Sequence, residues 1–172
     1  VIAETEFLKS GIARFHQVDP DRIAVVTLGV DRALFRPLDQ ADARQTLGIA
    51  AEPRIFSYIG VLDLTHNLEP VIRALGEKPD AGIELHVVGD GARRAEYQQL
   101  AAGCGARVVF HGKVPHAQVP MHIAAADLCL APYDAIAFSS GELGYSTMKI
   151  PEYLSAGRAV ASVPSGRIRT LI

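Results

Sequence analysis

The sequence has few cysteines and no long apolar run. Only two cysteines occur in 172 residues, Cys104 in a turn flanked by glycines and Cys129 in an apolar segment. Their spacing matches no metal-ligand pattern and no signal peptide precedes them, so we expect reduced, cytoplasmic thiols. The longest apolar stretches are interrupted by His, Asp or Pro and fall short of the roughly 20 residues that cross a bilayer. We therefore expect no transmembrane segment in this chain.

The chain also lacks an excess of charge of one sign. It carries 17 basic and 19 acidic side chains, for a net charge of −2, and these are spread along the chain without blocks. Binding to nucleic acid or to an anionic lipid surface would require a basic patch. Neither partner is expected.

Residue patterns for metal and covalent chemistry are missing as well. The six histidines include no pair at i, i+4 on one helix face and have no carboxylate cluster beside them, so the sequence predicts no metal site. No G-x-S-x-G turn occurs, and a Cys paired with a base cannot be located from one sequence. Nucleophilic catalysis therefore has no support.

Length and composition are typical of one domain with an apolar core. Hydrophobic residues make up 49% of the chain and charged residues 21%, which predicts a single domain over residues 1–172. The sequence begins without Met and ends just after an apolar run. We therefore expect it to be part of a longer protein.

Helix-like and strand-like patterns alternate along the chain. Helical spacing of apolar residues occurs at 5–17, 67–78, 92–104, 116–126 and 148–157. Apolar segments typical of strands occur at 23–30, 54–60, 83–90, 106–112, 127–134 and 159–165. This order predicts a doubly wound, Rossmann-like α/β fold, with a parallel sheet of about six strands and helices on both faces.

Ligands of such sheets bind beyond the carboxyl ends of the strands. The candidate loops follow five residues: Gly60, Val88, Phe110, Pro132 and Val163. His66 and His111 lie at these ends, whereas His86 has apolar neighbours in a predicted strand and is interpreted as a core or face residue.

The segment VVGDGARR at 87–94 runs from a predicted strand through Gly89 and Gly91 into a helix. Backbone N–H groups in such a turn can hold an anion. However, Arg94 replaces the third glycine of a dinucleotide fingerprint, and no acidic residue ends the next strand, so NAD binding is disfavoured. The alternative is that the glycines only form a tight turn.

Lys149 and Glu152 lie three residues apart in the segment STMKIPEYLSAGRAV at 146–160. Pro151 is tolerated only near the first turn of a helix, and Thr147 can cap that helix, so both charges are placed at its N-terminal end. That end points at the predicted ligand cleft. The alternative is that the helix dipole alone favours Glu152 and that Lys149 is a solvated partner.

Several segments together resemble the family 4 (group 1) retaining glycosyltransferases. They are residues 23–37, 83–94, 106–133 and 146–165, the last with Ser and Lys before Glu-Tyr and then a Gly before the final strand. The resemblance implies the C-terminal, nucleotide-sugar-binding half of a GT-B enzyme. It also implies transfer of a sugar, of the hexosyltransferase type, from a nucleotide-diphosphate sugar to an acceptor with retention of configuration.

The resemblance assigns roles to residues by position. Glu152 would hold the ribose hydroxyls, and backbone amides at Ser146, Thr147 and Met148 would hold the diphosphate or the sugar. The loop around Gly112, Lys113 and Val114 would read the base. Gly60 is the glycine that ends the second strand of the family pattern.

Three positions depart from the family pattern. Gly144 stands where the family has its first glutamate, and Val61 and His66 stand where many members have an Arg and a Lys near the diphosphate. We expect Lys149 to offset the phosphate charge instead, as a point cation. His66 is the second, weaker candidate.

The family's acceptor site and catalytic His usually lie in a preceding domain that this chain lacks. The catalytic residues are therefore expected there, and this chain alone is expected to be inactive. No cofactor is expected besides the donor, and the location is expected to be cytoplasmic or membrane-peripheral through the missing domain. Two alternatives stay open: a GT-B-like nucleotide-sugar epimerase and a degenerate, non-catalytic domain. The base, the sugar, the acceptor and the oligomeric state are also open.

Overall fold

The computed structural model describes residues 1–134, 147–165 and 168–169. Two short strands, β1 (Ile2–Ala3) and β2 (Ala24–Val25), pair in parallel as a small sheet. The main sheet contains β3 (Arg54–Ile59), β4 (Ile83–Val88), β5 (Val108–Gly112), β6 (Leu128–Ala131) and β7 (Ala159–Ser162). All of its neighbouring strands are parallel, in the order β5-β4-β3-β6-β7.

Helices alternate with these strands along the chain. They are α1 (Glu6–His16), α2 (Gln40–Leu47), α3 (Glu69–Gly76), α4 (Arg94–Cys104), α5 (Val119–Ala125) and α6 (Lys149–Ser155). The alternation and the parallel pairing confirm the predicted α/β class. None of the helices in the described ranges has both the length and the apolar character that a bilayer crossing requires.

The main sheet has five strands, fewer than the sequence pattern predicts. Of the apolar segment at 23–30, only Ala24–Val25 is a strand, and it belongs to the small sheet. Its partner Ile2–Ala3 offers only two residues for pairing. Because a ladder extends only where both chains are in register, the rest of the segment stays outside the sheet.

Side chains alternate across the main sheet, so each face has its own apolar core. On one face, Tyr58, Leu85 and Val87 pack against residues of α3 and α4. On the other face, Ile55 and Cys129 pack against residues of α5 and α6. Burial on both faces explains why the central strand segments are continuous apolar runs.

The order in which strands are added to the sheet reverses at β3. The chain adds β4 and β5 on one side of β3 and then returns to add β6 and β7 on the other. In open parallel sheets, the crevice beyond the carboxyl ends of the strands at such a reversal is where ligands bind. The loops after β3 and β6 frame this crevice, and they are joined by hydrogen bonds from Asn67 N–H to Pro132 O at 2.8 Å and from Asp134 N–H to Thr65 O at 3.0 Å.

Candidate functional site

Three glycines let the loops after β3 and β4 touch. Gly60 and Gly89 have φ angles of 153° and 134°, which glycine adopts at little cost. A Cβ atom on Gly89 would lie 1.9 Å from the Gly60 carbonyl oxygen, and one on Gly91 would lie 2.2 Å from the Leu62 carbonyl oxygen. The two loops therefore form one continuous backbone surface at the carboxyl end of the sheet, and the glycines of the VVGDGARR segment serve this close packing.

Lys149, the first residue of α6, extends its side chain toward this surface. Its Nζ atom lies 5.1 Å from the centre of the Tyr58 ring and 5.0 Å from the centre of the Tyr133 ring. A Cβ atom on Gly60 would lie 3.1 Å from Nζ. The ammonium is therefore placed between two ring faces and the end of β3, at the crevice between β3 and β6.

Among the residues that the structure describes, none is an anionic partner in direct contact with the Lys149 ammonium. Within the part of the chain that the structure describes, no ion pair and no hydrogen bond reaches Nζ. Burial lowers the pKa of Lys149 to about 8, against the attraction of Asp63 and Glu152. A partly desolvated ammonium without a partner carries a free-energy cost that a bound anion would relieve.

His66 lies beside Lys149 and is held by Asp63. His66 Nδ1 donates to Asp63 Oδ1 at 2.8 Å, and the Thr65 hydroxyl donates to the same oxygen at 2.7 Å. The His66 ring centre is 5.0 Å from that of Tyr133. We call four residues the tyrosine–lysine cluster: Tyr58, His66, Tyr133 and Lys149.

The charge state of this loop follows from burial and hydrogen bonding. Burial, followed by repulsion from Lys149, lowers the pKa of His66 despite Asp63, so the imidazole is neutral at pH 7. Burial opposes ionisation of Asp63, but hydrogen bonds from Thr65 and His66 outweigh it and hold the Asp63 pKa below its usual value. Asp63 is therefore an ionised carboxylate that is already engaged by its own loop.

The two tyrosine rings are fixed by their hydroxyl groups. Tyr58 Oη donates to the Val61 carbonyl at 2.6 Å, and the Tyr133 hydroxyl is hydrogen-bonded to the Thr147 hydroxyl. Helix α6 begins after Met148, and no side chain caps it. The predicted cap by Thr147 is therefore wrong, because the Thr147 hydroxyl is turned toward Tyr133 instead.

Glu152 lies in the first turn of α6, three residues after Lys149. Its carboxylate forms no hydrogen bond or ion pair with any described residue. Burial raises the pKa of Glu152, and attraction to His116 and Lys149 opposes that rise. An ionisable acceptor with unused lone pairs therefore lies between α6 and the segment that follows β5.

The predicted base-reading loop at 112–114 also lies at this end of the sheet. Gly112 is buried with a φ of 74°, and its carbonyl accepts the Gly89 N–H at 2.7 Å. Lys113 is exposed and Val114 is partly exposed. The role of the loop at 112–114 in base recognition stays a prediction, as do the roles of the Thr147 and Met148 amides.

The structure brings together Gly60, His66 and Lys149 in one contact region, with Glu152 one turn along α6. Val61 is 50% exposed beside them. Ser146 and Gly144 lie outside the described residues.

A second group of titratable side chains lies deeper in the fold. We call His86 on β4, His111 on β5 and His122 on α5 the histidine cluster. His111 Nε2 is 3.0 Å from His86 Nδ1, and the ring centres of His111 and His122 are 4.9 Å apart. Burial lowers the pKa of all three, that of His122 to about 4.

The histidine cluster does not form a metal centre. Over residues 1–134, 147–165 and 168–169, no group of three or more His, Cys, Asp or Glu side chains is arranged to hold a metal ion. His86 is 4% exposed, which confirms its position in the core. It is not fully satisfied there, because its Nε2 atom has no hydrogen-bond partner among the described residues and lies 3.6 Å from Glu84 Oε2.

Comparison with known families identifies the family to which the chain belongs. The family model described as glycosyl transferases group 1 matches residues 52–172. The chain belongs to the group 1 glycosyltransferases. It is 31% identical over 139 residues to a D-inositol 3-phosphate glycosyltransferase from Mycobacterium bovis, a match that covers 77% of this chain and 28% of that protein.

Solved glycosyltransferase structures share the fold of this group 1 glycosyltransferase chain. HepE from Anabaena, solved with UDP and glucose, is 23% identical, with a TM-score of 0.77 over 100% of this chain and 46% of HepE. Sucrose-phosphate synthase from Thermosynechococcus elongatus is 23% identical, with a TM-score of 0.74 over 99% of this chain and 42% of the synthase. The GT-B architecture expected from the sequence agrees with both matches, and the chain spans less than half of either protein.

Sequence patterns missed three residues of the site in this group 1 glycosyltransferase chain. Tyr58 lies inside β3, where an aromatic residue is typical of the core, and Tyr133 follows β6 without a distinguishing motif. Asp63 had a usable signal, because Asp-x-Thr-His directly after a strand can form a local hydrogen-bonded turn.

Proposed function

We propose that this chain binds the nucleotide-diphosphate sugar of a retaining hexosyltransferase. The observation that supports the proposal is a pair of groups, the Lys149 ammonium and the Glu152 carboxylate, one turn apart at the point where the strand order reverses. Neither has an ion-pair or hydrogen-bond partner among the described residues. A suitable ligand must bring negative charge to the first group and hydrogen-bond donors to the second. The diphosphate and the ribose of a nucleotide meet both requirements. HepE, which has the same fold, is described with UDP and glucose.

Lys149 is the proposed diphosphate cation. The family places an Arg and a Lys near the diphosphate, and this chain has Val61 and His66 at those positions. Lys149 reaches the same region from α6, since a Cβ atom on Gly60 would lie 3.1 Å from its Nζ. A point cation there would stabilise the charge that develops on the diphosphate as it leaves the sugar. His66 is neutral and is the weaker candidate.

Glu152 is the proposed ribose acceptor. Its carboxylate can accept from two vicinal hydroxyls, and His116, which follows the loop at 112–114, is near enough to act on it electrostatically. A ribose at Glu152 would therefore direct the base toward that loop. The Ser146, Thr147 and Met148 amides are proposed to contact the diphosphate or the sugar.

The chemical step follows from the proposed donor. The bond between the anomeric carbon and the diphosphate oxygen breaks, and the electron pair leaves with the diphosphate. An acceptor hydroxyl forms the new bond on the same face of the sugar and gives its proton to the departing diphosphate oxygen. This chain's proposed contribution is to bind the donor and to hold a cation against the departing diphosphate. We propose that acceptor binding and the remaining catalytic residues belong to the part of the enzyme outside this chain. The chain alone should therefore bind nucleotide without transferring sugar.

Titration by NMR tests the donor proposal. UDP, ADP and GDP, each with its nucleoside, are added to the 172-residue chain. We expect a dissociation constant of about 0.1 to 1 mM for the preferred diphosphate, because an open cleft leaves charges exposed to water. If no nucleotide binds, the alternative of a degenerate domain is favoured over the donor site.

A single substitution tests the ribose contact. Glu152→Gln should weaken nucleoside and nucleotide binding by about 1 to 3 kcal/mol, the range for a lost charged hydrogen bond. Glu77→Gln, an exposed glutamate just after α3, is the matched control and should leave affinity unchanged. Equal affinity of Glu152→Gln and the unsubstituted chain would reject the ribose assignment.

A further inference from the structure

The tyrosine–lysine cluster holds its ammonium with ring faces, and none of the described residues supplies a counter-ion in contact with it. Tyr58 on β3 and Tyr133 after β6 each place a ring centre about 5 Å from Lys149 Nζ, a distance at which the ring face attracts a cation. Such contacts stabilise a cation less than a hydrogen-bonded carboxylate does. The charge of Lys149 is therefore only weakly supported in the free protein.

The charged and titratable groups around Lys149 do not supply the missing counter-charge. Asp63, in the loop after β3, accepts hydrogen bonds from Thr65 and His66 rather than from Lys149. Glu152, on the same helix, is not in ion-pair contact. His66 is neutral and adds repulsion whenever it takes up a proton. Because burial dominates over Asp63 and Glu152, the pKa of Lys149 falls to about 8.

We propose that a diphosphate in the site keeps Lys149 protonated in mildly alkaline solution, where the free chain loses that proton, so that nucleotide binding takes up a proton there. The inference rests on the proposed function, because it requires the diphosphate to lie against Lys149. Two or more negative charges at that position supply the partner that the free protein lacks, and they favour the ammonium over the amine. The neutral amine form, in turn, binds diphosphate poorly.

The difference between the Lys149 pKa in the free chain and in the complex sets both the proton uptake and the change of affinity with pH. With a pKa of about 8 in the free chain and an ordinary value of about 10.4 in the complex, about 0.7 of a proton is taken up at pH 8.5. The affinity should fall about eightfold between pH 7.5 and pH 9.0. The phosphate itself does not contribute, since its last pKa is about 6. His66 does not contribute either, because it is already neutral in this range.

Two measurements test the proposal on the same sample. NMR titration gives the dissociation constant of UDP at pH 7.5, 8.25 and 9.0. Calorimetry at pH 8.5, in two buffers with different heats of ionisation, counts the protons taken up. ADP is run in parallel, because adenine has no acidic N–H in this range.

Lys149→Arg is the decisive variant, because arginine keeps the positive charge and does not lose its proton. It should bind UDP with no proton uptake at pH 8.5 and with the same affinity at pH 7.5 and pH 9.0. Lys149→Met, which keeps the length but not the charge, should bind UDP weakly at every pH. Lys78→Arg, at an exposed lysine between α3 and β4, should retain the uptake of the unsubstituted chain.

The outcomes separate the two proposals. If no nucleoside diphosphate binds, the proposed function itself fails. If UDP binds to the unsubstituted chain with an uptake below about 0.2 of a proton at pH 8.5, the proposed function stands and the proton linkage is overturned. Uptake that persists in Lys149→Arg would also overturn it, by assigning the proton to another group.

Discussion

The tyrosine–lysine cluster and the histidine cluster both bury titratable side chains, but they deal with charge in different ways. In the histidine cluster the rings are held neutral by burial, and His111 and His86 share a hydrogen bond. In the tyrosine–lysine cluster the Lys149 ammonium contacts ring faces, with no ion pair to any described residue. The first group stays neutral and leaves one ring nitrogen, His86 Nε2, without a hydrogen bond among the described residues; the second carries a charge that no described residue pairs.

The positions of the two clusters explain this difference. The histidines lie on β4, β5 and α5, where their closest polar partners are each other's rings. Lys149 lies at the carboxyl end of the sheet, where a ligand can do so. Buried charge without a partner is therefore informative about function only where a ligand can reach it.

Gly89→Ala should have the largest effect on stability. It should disturb the tyrosine–lysine cluster and leave the histidine cluster in place. The added Cβ atom would lie 1.9 Å from the Gly60 carbonyl oxygen, so the loops after β3 and β4 must separate. We expect unfolding free energy to fall by about 3 kcal/mol, measured by urea denaturation. NMR signals of the histidine cluster should persist in the folded variant while those of the loop after β3 shift.

Gly82→Ala is the matched control for that substitution. Gly82 also has a positive φ, 67°, but no atom lies within 4 Å of its hypothetical Cβ. Only backbone strain of about 1 kcal/mol is expected there. Equal losses for the two variants would mean that contact between the loops does not matter.

Acid should destabilise the fold through the histidine cluster. The pKa of His122 is lowered to about 4 in the folded chain, so the unfolded chain binds a proton first as the pH falls below about 6.5. Stability is therefore lost between about pH 6.5 and pH 4, by about 2 to 3 kcal/mol from this residue at pH 4.5. Urea denaturation at pH 7.0 and pH 4.5 measures the loss.

His122→Leu should remove most of the loss of stability that protonation of His122 causes at low pH. His16→Gln, at the exposed end of α1, is the control and should leave the loss unchanged. If His122→Leu and the unsubstituted chain lose the same stability on acidification, the histidine cluster is not the acid-sensitive region.

Lys149→Met should have the smallest effect on stability, with the opposite sign. Removing an unpaired, partly desolvated ammonium should raise unfolding free energy at pH 7 by about 1 kcal/mol. The same substitution should weaken UDP binding more than uridine binding, because only UDP carries the phosphates. Lys78→Met, at an exposed position, should change stability by less than about 0.5 kcal/mol. A loss of stability in Lys149→Met would show that the ammonium is structurally satisfied.

The sequence predicted the central sheet because its strands are buried on both faces and therefore form continuous apolar runs. It did not predict α2 (Gln40–Leu47), which buries only Ala43 and so has no apolar stripe. The ends of α2 did carry signals, since the Asp39 side chain accepts the Asp42 N–H and Gly48 adopts a left-handed conformation. Caps, rather than periodicity, identify a polar helix of this kind.

The candidate site was predicted in part. Pro151 fixed Lys149 and Glu152 to the first turn of α6, as the structure has them. Their surroundings were not predicted, because Tyr58 in β3 and Tyr133 just after β6 come together only when these two strands pair in the folded sheet. The Thr147 hydroxyl was assigned to the helix end for the same reason: its partner, Tyr133, is distant in sequence.

The aromatic content of the chain makes the site observable without a label. The chain has no tryptophan and five tyrosines, and the four that the structure describes, Tyr58, Tyr97, Tyr133 and Tyr153, are at most 3% exposed. Near-ultraviolet absorption and fluorescence therefore come from phenol rings, two of which flank Lys149. A ligand that changes the charge over those two rings alters their spectrum, whereas unfolding exposes all four to water. One optical signal can thus report occupancy of the cleft and loss of the fold as two distinguishable changes.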